Sequence, residues 1–393
     1  MAVPALFFFL NCCRMAVSDK IAARYAEIYV SAFERIIGDP SSPFLSAGGG
    51  PQCSVDGKPF RGGNALSTSV VAAERGFGIP YWLTRSKIQD WGLLIRPGER
   101  NTPICHYDVF YEDVATKKRD PQMNDILYAV LPEEERKKWV KRCYLNCYPE
   151  FNVAQTNFNE VYPESWDALV EKFGSAEKVF GSCSVLDGLI DAPMGVSGSW
   201  LCPVRLDGSQ RDRRPGYDVD RDEIVVGPKS AYADERRWYC DLVHEMAHST
   251  GSECRMERDI YGSSLNSLAR EELVAELAGS IICTMVGLQP CIQEHNLGFL
   301  KSWCEAIGGN PSVIYLAVND AARAADMISS TLGLELKPGF DLDRMMGGVE
   351  QAQKAQAEAQ QRREARRKAS CKNSGSRKVR RFVKAARSGG RGI

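Results

Sequence analysis

The run Val243-His244-Glu245-Met246-Ala247-His248, an H-E-x-x-H, constrains the fold more than any other part of this chain and uses two of its four histidines. Residues four apart on a helix project from one face, so a helix from about Asp234 to Ser249 carries both imidazoles to one metal ion. Two histidines do not fill a zinc site, which takes three protein ligands and keeps a fourth position for water. A second element must therefore cross the first. Arg270-Glu271-Glu272-Leu273-Val274-Ala275-Glu276-Leu277, on a predicted long helix from about Ser267 to Val286, offers carboxylates for this purpose. Glu272 and Glu276 share a face, so Glu272 reads as the third ligand. Glu276, one turn on, reads as the residue that hydrogen-bonds the outer nitrogen of a ligand histidine and fixes its tautomer. Glu271 lies roughly 100° round the helix and reads as solvent-facing.

Cys254 is a competing third ligand, because His248-Ser249-Thr250-Gly251-Ser252-Glu253-Cys254 approximates the longer H-E-x-x-H-x-x-G-x-x-H pattern with a thiol in the last place. Glu272 better explains the clustered downstream acids. Glu245 follows the first ligand directly, where a carboxylate can take a proton from water at the metal, the core of a zinc hydrolase. A purely structural metal site closes its fourth position and has no use for that carboxylate. His106 and His295 read as structural, and no Ser/His/Asp set or glycine-rich phosphate loop competes.

The 50 basic and 50 acidic residues hide an asymmetry. Residues 362–393 hold thirteen Lys or Arg against the single Glu364, leaving a body of net charge −12 and a tail of +12. Such a tail suits a polyanion, though a merely solubilising role is equally simple. The fourteen cysteines lack the dense regular spacing of a stapled secreted scaffold and read as thiols in a reducing compartment. Cys143 and Cys147 lie one helical turn apart but have no second pair to complete a metal site. The apolar run Ala5 to Leu10 lacks the flanks of a signal peptide and is too short to span a bilayer. Residues 1–14 read as an overextended start, with Met15 the more natural one. With no transmembrane segment expected, the location expected is cytoplasmic.

Apolar spacing predicts a helix from Ser18 to about Ile37 and another from Phe60 through Val71, followed by an extended Tyr81-Trp82-Leu83-Thr84. Thr84 is a candidate cap for a short helix, Arg85 to Trp91. Leu93 to Arg96 and Ile104 to Tyr111 read as a β-hairpin about Pro97-Gly98-Glu99-Arg100, and Glu133 to Cys143 as a charged helix. A second unit starts near Pro163, with short strands around Val225-Val226 and further helices at Gly298 to Ile307 and Val313 to Leu332. Beyond Gly348 the composition suggests one exposed helix that dissolves into a disordered basic tail.

His244 to Gly251, the connector Arg255-Met256-Glu257-Arg258-Asp259 and Arg270 to Leu277 together resemble the antirestriction ArdC family. Gly63-Asn64-Ala65-Leu66, Tyr81 to Thr84, Gly92, Arg96 to Arg100 and Phe151-Asn152-Val153-Ala154-Gln155 resemble that family's N-terminal signature. The resemblance covers roughly residues 18–335. Ser249 stands where the family usually has an aromatic, Arg96 to Arg100 replaces a more lysine-rich turn, and Glu112 to Leu145 and the tail have no recognised counterpart. The resemblance implies an α+β fold: a small N-terminal single-stranded DNA-binding domain (15–160), then a mostly helical zincin-like, gluzincin-type metallopeptidase domain (161–345), then residues 346–393 as tail. It also implies single-stranded DNA as partner and zinc, or another divalent metal such as manganese, as cofactor.

Lys58, Arg61, Arg85, Lys87, Arg96 and Arg100, with Tyr81, Trp82 and Trp91, are the corresponding candidate DNA contacts, pairing backbone-neutralising cations with stacking rings. The function expected is that of a mobile-element or phage protein that shields DNA from host restriction. The alternatives are a DNA-binding accessory protein with a structural or vestigial metal site, and a cytoplasmic metallopeptidase with no DNA role.

Overall fold

The computed structural model describes residues 19–42, 44–45, 51–173, 184–187, 200–208, 216–261, 264–288, 290, 296–336 and 339–348. The start segment 1–14, Met15, His295 and the tail beyond 348 lie outside the described residues.

Helix α1 (Asp19–Gly38) buries Tyr25, Tyr29, Phe33 and Ile36, a stripe at three- and four-residue spacing. Strand β1 (Cys53–Ser54), helix α2 (Gly62–Arg75) and strand β2 (Tyr81–Thr84) form a parallel crossover, with Cys53 opposite Tyr81. Gly76, at φ 66°, ends α2 in the left-handed conformation, its N–H donating to Ala72 O. Thr84 Oγ1 accepts from Lys87 N at 3.2 Å and starts α3 (Arg85–Asp90), as expected.

Then follow β3 (Thr102–Asp113), β4 (Arg119–Asp120), α4 (Asp125–Val130), α5 (Glu133–Arg136) and β5 (Trp139–Asn152). The sheet order is β1-β2-β5-β3-β4, with β5 antiparallel to both β2 and β3. Two expectations fail here. The segment Leu93 to Arg96 does not pair with β3, because β5 occupies that edge from Thr102 to Asp113. Instead Ile95 bridges Thr156, and Leu94 N donates to Asn157 Oδ1 at 2.7 Å. The helix expected from Glu133 to Cys143 is a single turn, since the charged run gives way at Trp139 and Val140 to residues that favour strands. On a strand, Cys143 and Cys147 lie about 13 Å apart. Cys147 is disulfide-bonded to Cys105, its partner in the β3–β5 register, so these two are not idle thiols.

The second half comprises α6 (Phe158–Val161), α7 (Pro163–Phe173), α8 (Ser184–Asp187), β6 (Val204–Leu206), β7 (Gly216–Asp218), β8 (Glu223–Val226), α9 (Glu235–Ser249), α10 (Leu265–Met285), α11 (Leu300–Gly309) and α12 (Ser312–Leu332). Strand β8 is central, parallel to β6 and antiparallel to β7. Leu242, Val243, Met246 and Ala247 of α9 share one core with Leu273, Val274, Leu277 and Ala278 of α10. At Gly279 a Cβ would lie 3.5 Å from the His244 backbone, so the two helices meet closely behind the first histidine. The architecture is α+β.

The N-terminal helices are part of the same packing. Tyr25 meets Tyr315 of α12 edge-on at 5.6 Å, and Phe33 meets Trp303 of α11 at 5.6 Å. The described residues of Met1–Ser54 and Lys58–Gly339 accordingly form one compact unit. Val55–Gly57 with the described residues from Phe340 onward form another, in which Asp343 N donates to Val55 O at 2.9 Å. Among the described residues no helix is long and apolar enough to cross a membrane.

Candidate metal centre

Asp234 caps α9 by accepting from Arg236 N at 2.9 Å, and Trp238 Nε1 anchors its first turn on Gly227 O at 2.7 Å. In the last two turns of α9, His244 and His248 set their rings edge-on, 4.7 Å between centroids. Their Nε2 atoms are 3.0 Å apart. From α10, Glu272 Oε2 comes within 3.3 Å of His244 Nε2, and Oε1 within 3.6 Å of His248 Nε2. Tetrahedral ligands held about 2.0–2.1 Å from a zinc ion stand roughly 3.3 Å from one another. The triangle observed has that size and that donor set, so these three side chains fit a divalent ion. Among the described residues they are the one group of three metal-ligating side chains whose ligand atoms lie so close, all within 4.8 Å. Cys254 is exposed, its Sγ 3.4 Å from Ser252 Oγ, and does not join them.

The expectation for Glu271 is wrong. It is 2% exposed, and its Oε1 stands 3.2 Å from His248 Nδ1. Its other neighbour is Arg258, which donates from Nη2 to Oε1 at 2.8 Å and from Nε to Oε2 at 2.9 Å. Burial raises the Glu271 carboxyl, but Arg258 and His248 outweigh it and hold it below its ordinary range. Glu271 therefore orients the second histidine. The physical reason is the turn after α9. At Gly251 a Cβ would fall 2.5 Å from Ile260 Cγ2 and 2.9 Å from Arg258 Nη2, so only glycine lets the connector fold back over this side of α10. Arg258 then also donates to Ala247 O and Thr250 Oγ1, each at 2.8 Å. Glu276 stands behind His244, with Oε1 3.8 Å from Nδ1, and accepts from Asn296 Nδ2 at 2.9 Å.

Glu245 is buried, and its Oε2 accepts from the backbone N–H of Tyr217 on β7 at 2.7 Å. Burial pushes its pKa up to about 7, with His248 partly opposing the shift. Burial lowers the His248 imidazole, but Glu271, Glu272 and Glu245 more than reverse this and raise it to about 10. Arg255 braces the site. It donates to Ser249 O at 2.6 Å, Asp222 Oδ2 at 3.0 Å and Tyr217 OH at 3.1 Å, tying the turn that follows β7 to the end of α9. Nothing in the connector Arg255-Met256-Glu257-Arg258-Asp259 taken by itself assigns Arg255 or Arg258 a role. The signal available was an acidic doublet at the ligand position, since a buried second acid requires a cation.

The candidate DNA contacts divide. Tyr81, Trp82 and Trp91 are 0%, 1% and 4% exposed and cannot stack on bases. They belong to the core: Trp82 Nε1 donates to Gln52 Oε1 at 2.7 Å, Tyr81 meets Phe173 edge-on at 5.6 Å, and Trp91 lies 6.2 Å from Phe158. Lys58, Arg61, Arg85 and Arg100 are exposed, while Lys87 and Arg96 are half-buried. Arg100 is paired with Glu27, and Arg96 with Glu160 and Asn159. The Arg85 guanidinium lies 5.4 Å over the Phe151 ring. His106 is exposed beside Tyr148 rather than buried in a core.

The family described as the N-terminal domain of anti-restriction factor ArdC matches residues 19–151, and that described as zincin-like metallopeptidase matches residues 204–320. A zincin-like domain implies a divalent metal. The protein y4eC of Sinorhizobium fredii is 26% identical over 277 residues, 68% of this chain and 77% of that protein. DNA primase TraC of Escherichia coli is 26% identical over 322 residues, 80% of this chain but 27% of the primase, so the chain spans about a quarter of that relative. Crystal structures of the antirestriction ArdC protein from plasmid R388 share the fold at a TM-score of 0.52 and 22% identity. The metal-free one covers 79% of this chain and 99% of its own, the Mn(II)-bound one 78% and 97%. The chain thus belongs to the antirestriction ArdC family, an ArdC-type N-terminal domain followed by a zincin-like metallopeptidase domain.

Proposed function

We propose that this protein binds single-stranded DNA of a mobile element or phage, protects it from restriction in the bacterial cytoplasm, and carries a zinc-dependent peptidase-like site. The observation that carries the metal reading is the His244–His248–Glu272 triangle, with Glu245 held beside it. A divalent ion bound there would acidify a water molecule and polarise a carbonyl group. Within the chain, Glu245 would take up and return the proton, a role suited to a buried carboxyl held beside the triangle. Tyr217 N–H fixes that carboxyl, Glu271 and Arg258 fix His248, and Glu276 supports His244. Zinc suits the two imidazoles and one carboxylate; the Mn(II)-bound R388 structure makes manganese the alternative to test.

Metal content of wild type, Glu272→Ala and Cys254→Ala tests the ligand set. Glu272→Ala is expected to lose the ion and Cys254→Ala to keep it; the reverse overturns the assignment. Glu245→Ala is expected to keep metal and lose hydrolysis by about 10²–10⁴-fold. Unchanged restriction protection in that variant would favour the second reading, an accessory DNA-binding protein.

The DNA reading is supported by the family, by the basic tail and by exposed Lys58, Arg61 and Arg85. Full-length protein titrated with labelled single strands should bind more weakly as salt rises, and each of these cations changed to Ala should flatten the log–log slope by about 1. Absence of binding at low salt would sink the DNA reading and leave a metallopeptidase.

A further inference from the structure

Strands β3 and β5 pair antiparallel from Thr102 opposite Glu150 to Asp113 opposite Trp139, and alternation gives this long ribbon two unlike faces. One is covered at its outer end, where Tyr111 is 2% exposed and stacks on Tyr128 of α4 with 4.8 Å between centroids. The other enters the core at Ile104 and then comes out to solvent. The register sets its side chains: Ile104 stands opposite Tyr148, His106 opposite Asn146, Phe110 opposite Arg142, and Glu112 between Val140 and Arg119 of β4. Tyr148 is 50% exposed, with its ring 6.0 Å from that of exposed His106. Further out, the guanidinium of exposed Arg119 lies 4.8 Å over the half-buried Phe110 ring.

The outer end of the ribbon is also positively charged. The turn from β3 to β4 carries Lys117, Lys118 and Arg119 in succession, all exposed, and none closes an ion pair among the described residues. The acids beside them are engaged. Asp113 Oδ1 accepts from Ala115 N at 3.0 Å and Thr116 N at 2.6 Å, and Glu112 Oε1 accepts from Arg142 Nη2 at 3.0 Å.

We propose that bases of single-stranded DNA stack along this face, on Tyr148 and His106 at its inner end and on the Arg119–Phe110 layer at its outer end. The proposal rests on the single-stranded DNA reading above, and gives it the exposed rings that buried Tyr81, Trp82 and Trp91 do not supply. His106 and Phe110 lie about 13 Å apart along their strand, a platform for about two or three bases. A ring on an open sheet meets a base by its flat face. A duplex hides those faces in its own stack, so this surface suits a single strand. The Arg119 guanidinium is planar, so over Phe110 it offers a stacking layer and a phosphate partner at once.

The test is fluorescence anisotropy of full-length protein with a labelled oligothymidylate of about 20 nucleotides over a salt series, beside a blunt duplex of the same length. Tyr148→Ala is expected to weaken the single strand about tenfold, keep its salt slope and leave duplex binding unchanged, while Tyr148→Phe binds as wild type does. Arg119→Ala is expected to weaken binding and flatten the log–log slope by about 1. A melting transition like that of wild type reports that each variant is folded. If Tyr148→Ala is not, His106→Ala takes its place with the same expectation. Wild-type affinity for the single strand in the folded ring variant and in Arg119→Ala overturns the stacking face and leaves the DNA reading standing. If wild type binds no single strand at low salt, the DNA reading falls and takes this assignment with it.

Discussion

At the scale of residues, the candidate centre depends on charges that are buried only because they are paired. Arg258 and Glu271 are 5% and 3% exposed at their side chains and share a two-point ion pair. Removing one partner strands the other, so Arg258→Ala is expected to cost about 3–5 kcal/mol in urea denaturation, far more than the exposed Lys137–Glu134 pair would show. Glu150 is a buried acid with a different fate. Its Oε2 has no hydrogen-bond partner among the described residues, and burial lifts its pKa from 4.5 to about 7. The native state then keeps a proton that the unfolded chain releases between those values, so the stabilisation is full below pH 4.5 and is lost as pH rises through 7. Comparing stability against pH for wild type and Glu150→Gln isolates this slope. The wild type should lose on the order of 3 kcal/mol more across that window, and parallel curves would refute the assignment.

At the scale of elements, the turn after α9 is the least tolerant link. Gly251→Ala must displace Ile260 or the Arg258 guanidinium, and is expected to destabilise by about 1–3 kcal/mol and to weaken metal uptake, read by calorimetry and metal titration. Legibility in the sequence followed the same physics. Helices α1, α9 and α12 were readable to within a few residues because their apolar stripes are local, and α10 because its apolar run is long and uninterrupted. The partner of β3 was not, because β5 lies beyond two short helices and nothing local distinguishes it from Leu93 to Arg96. His244, His248, Glu245 and Glu272 were legible through spacing. Glu271 was not, because its burial depends on Arg258 arriving from another segment. Tyr81, Trp82 and Trp91 misled for the same reason: a ring beside a cation looks alike in sequence whether it faces water or Phe158 and Phe173.

At the scale of the whole molecule, a divalent metal bound at the His244–His248–Glu272 triangle is expected to act as a stabilising ligand. Free zinc or manganese at about a hundred times its Kd is expected to add about 2.7 kcal/mol to native stability. Melting curves should therefore shift upward with metal for wild type and stay put for Glu272→Ala; an equal shift in both would place the ion elsewhere. The packing of α1 against α11 and α12 has a further effect, on the order of events in the cell. Nearly three hundred residues separate the start of α1 from that of α12. At ordinary rates of translation, the ribosome needs about 15–60 s to bridge that interval. Through that time the row of Tyr25, Tyr29 and Phe33 lacks the part of its cover that α11 and α12 supply, although Phe44 and α2 already pack on it, so newly made chains should engage chaperones early and let go only as α12 emerges.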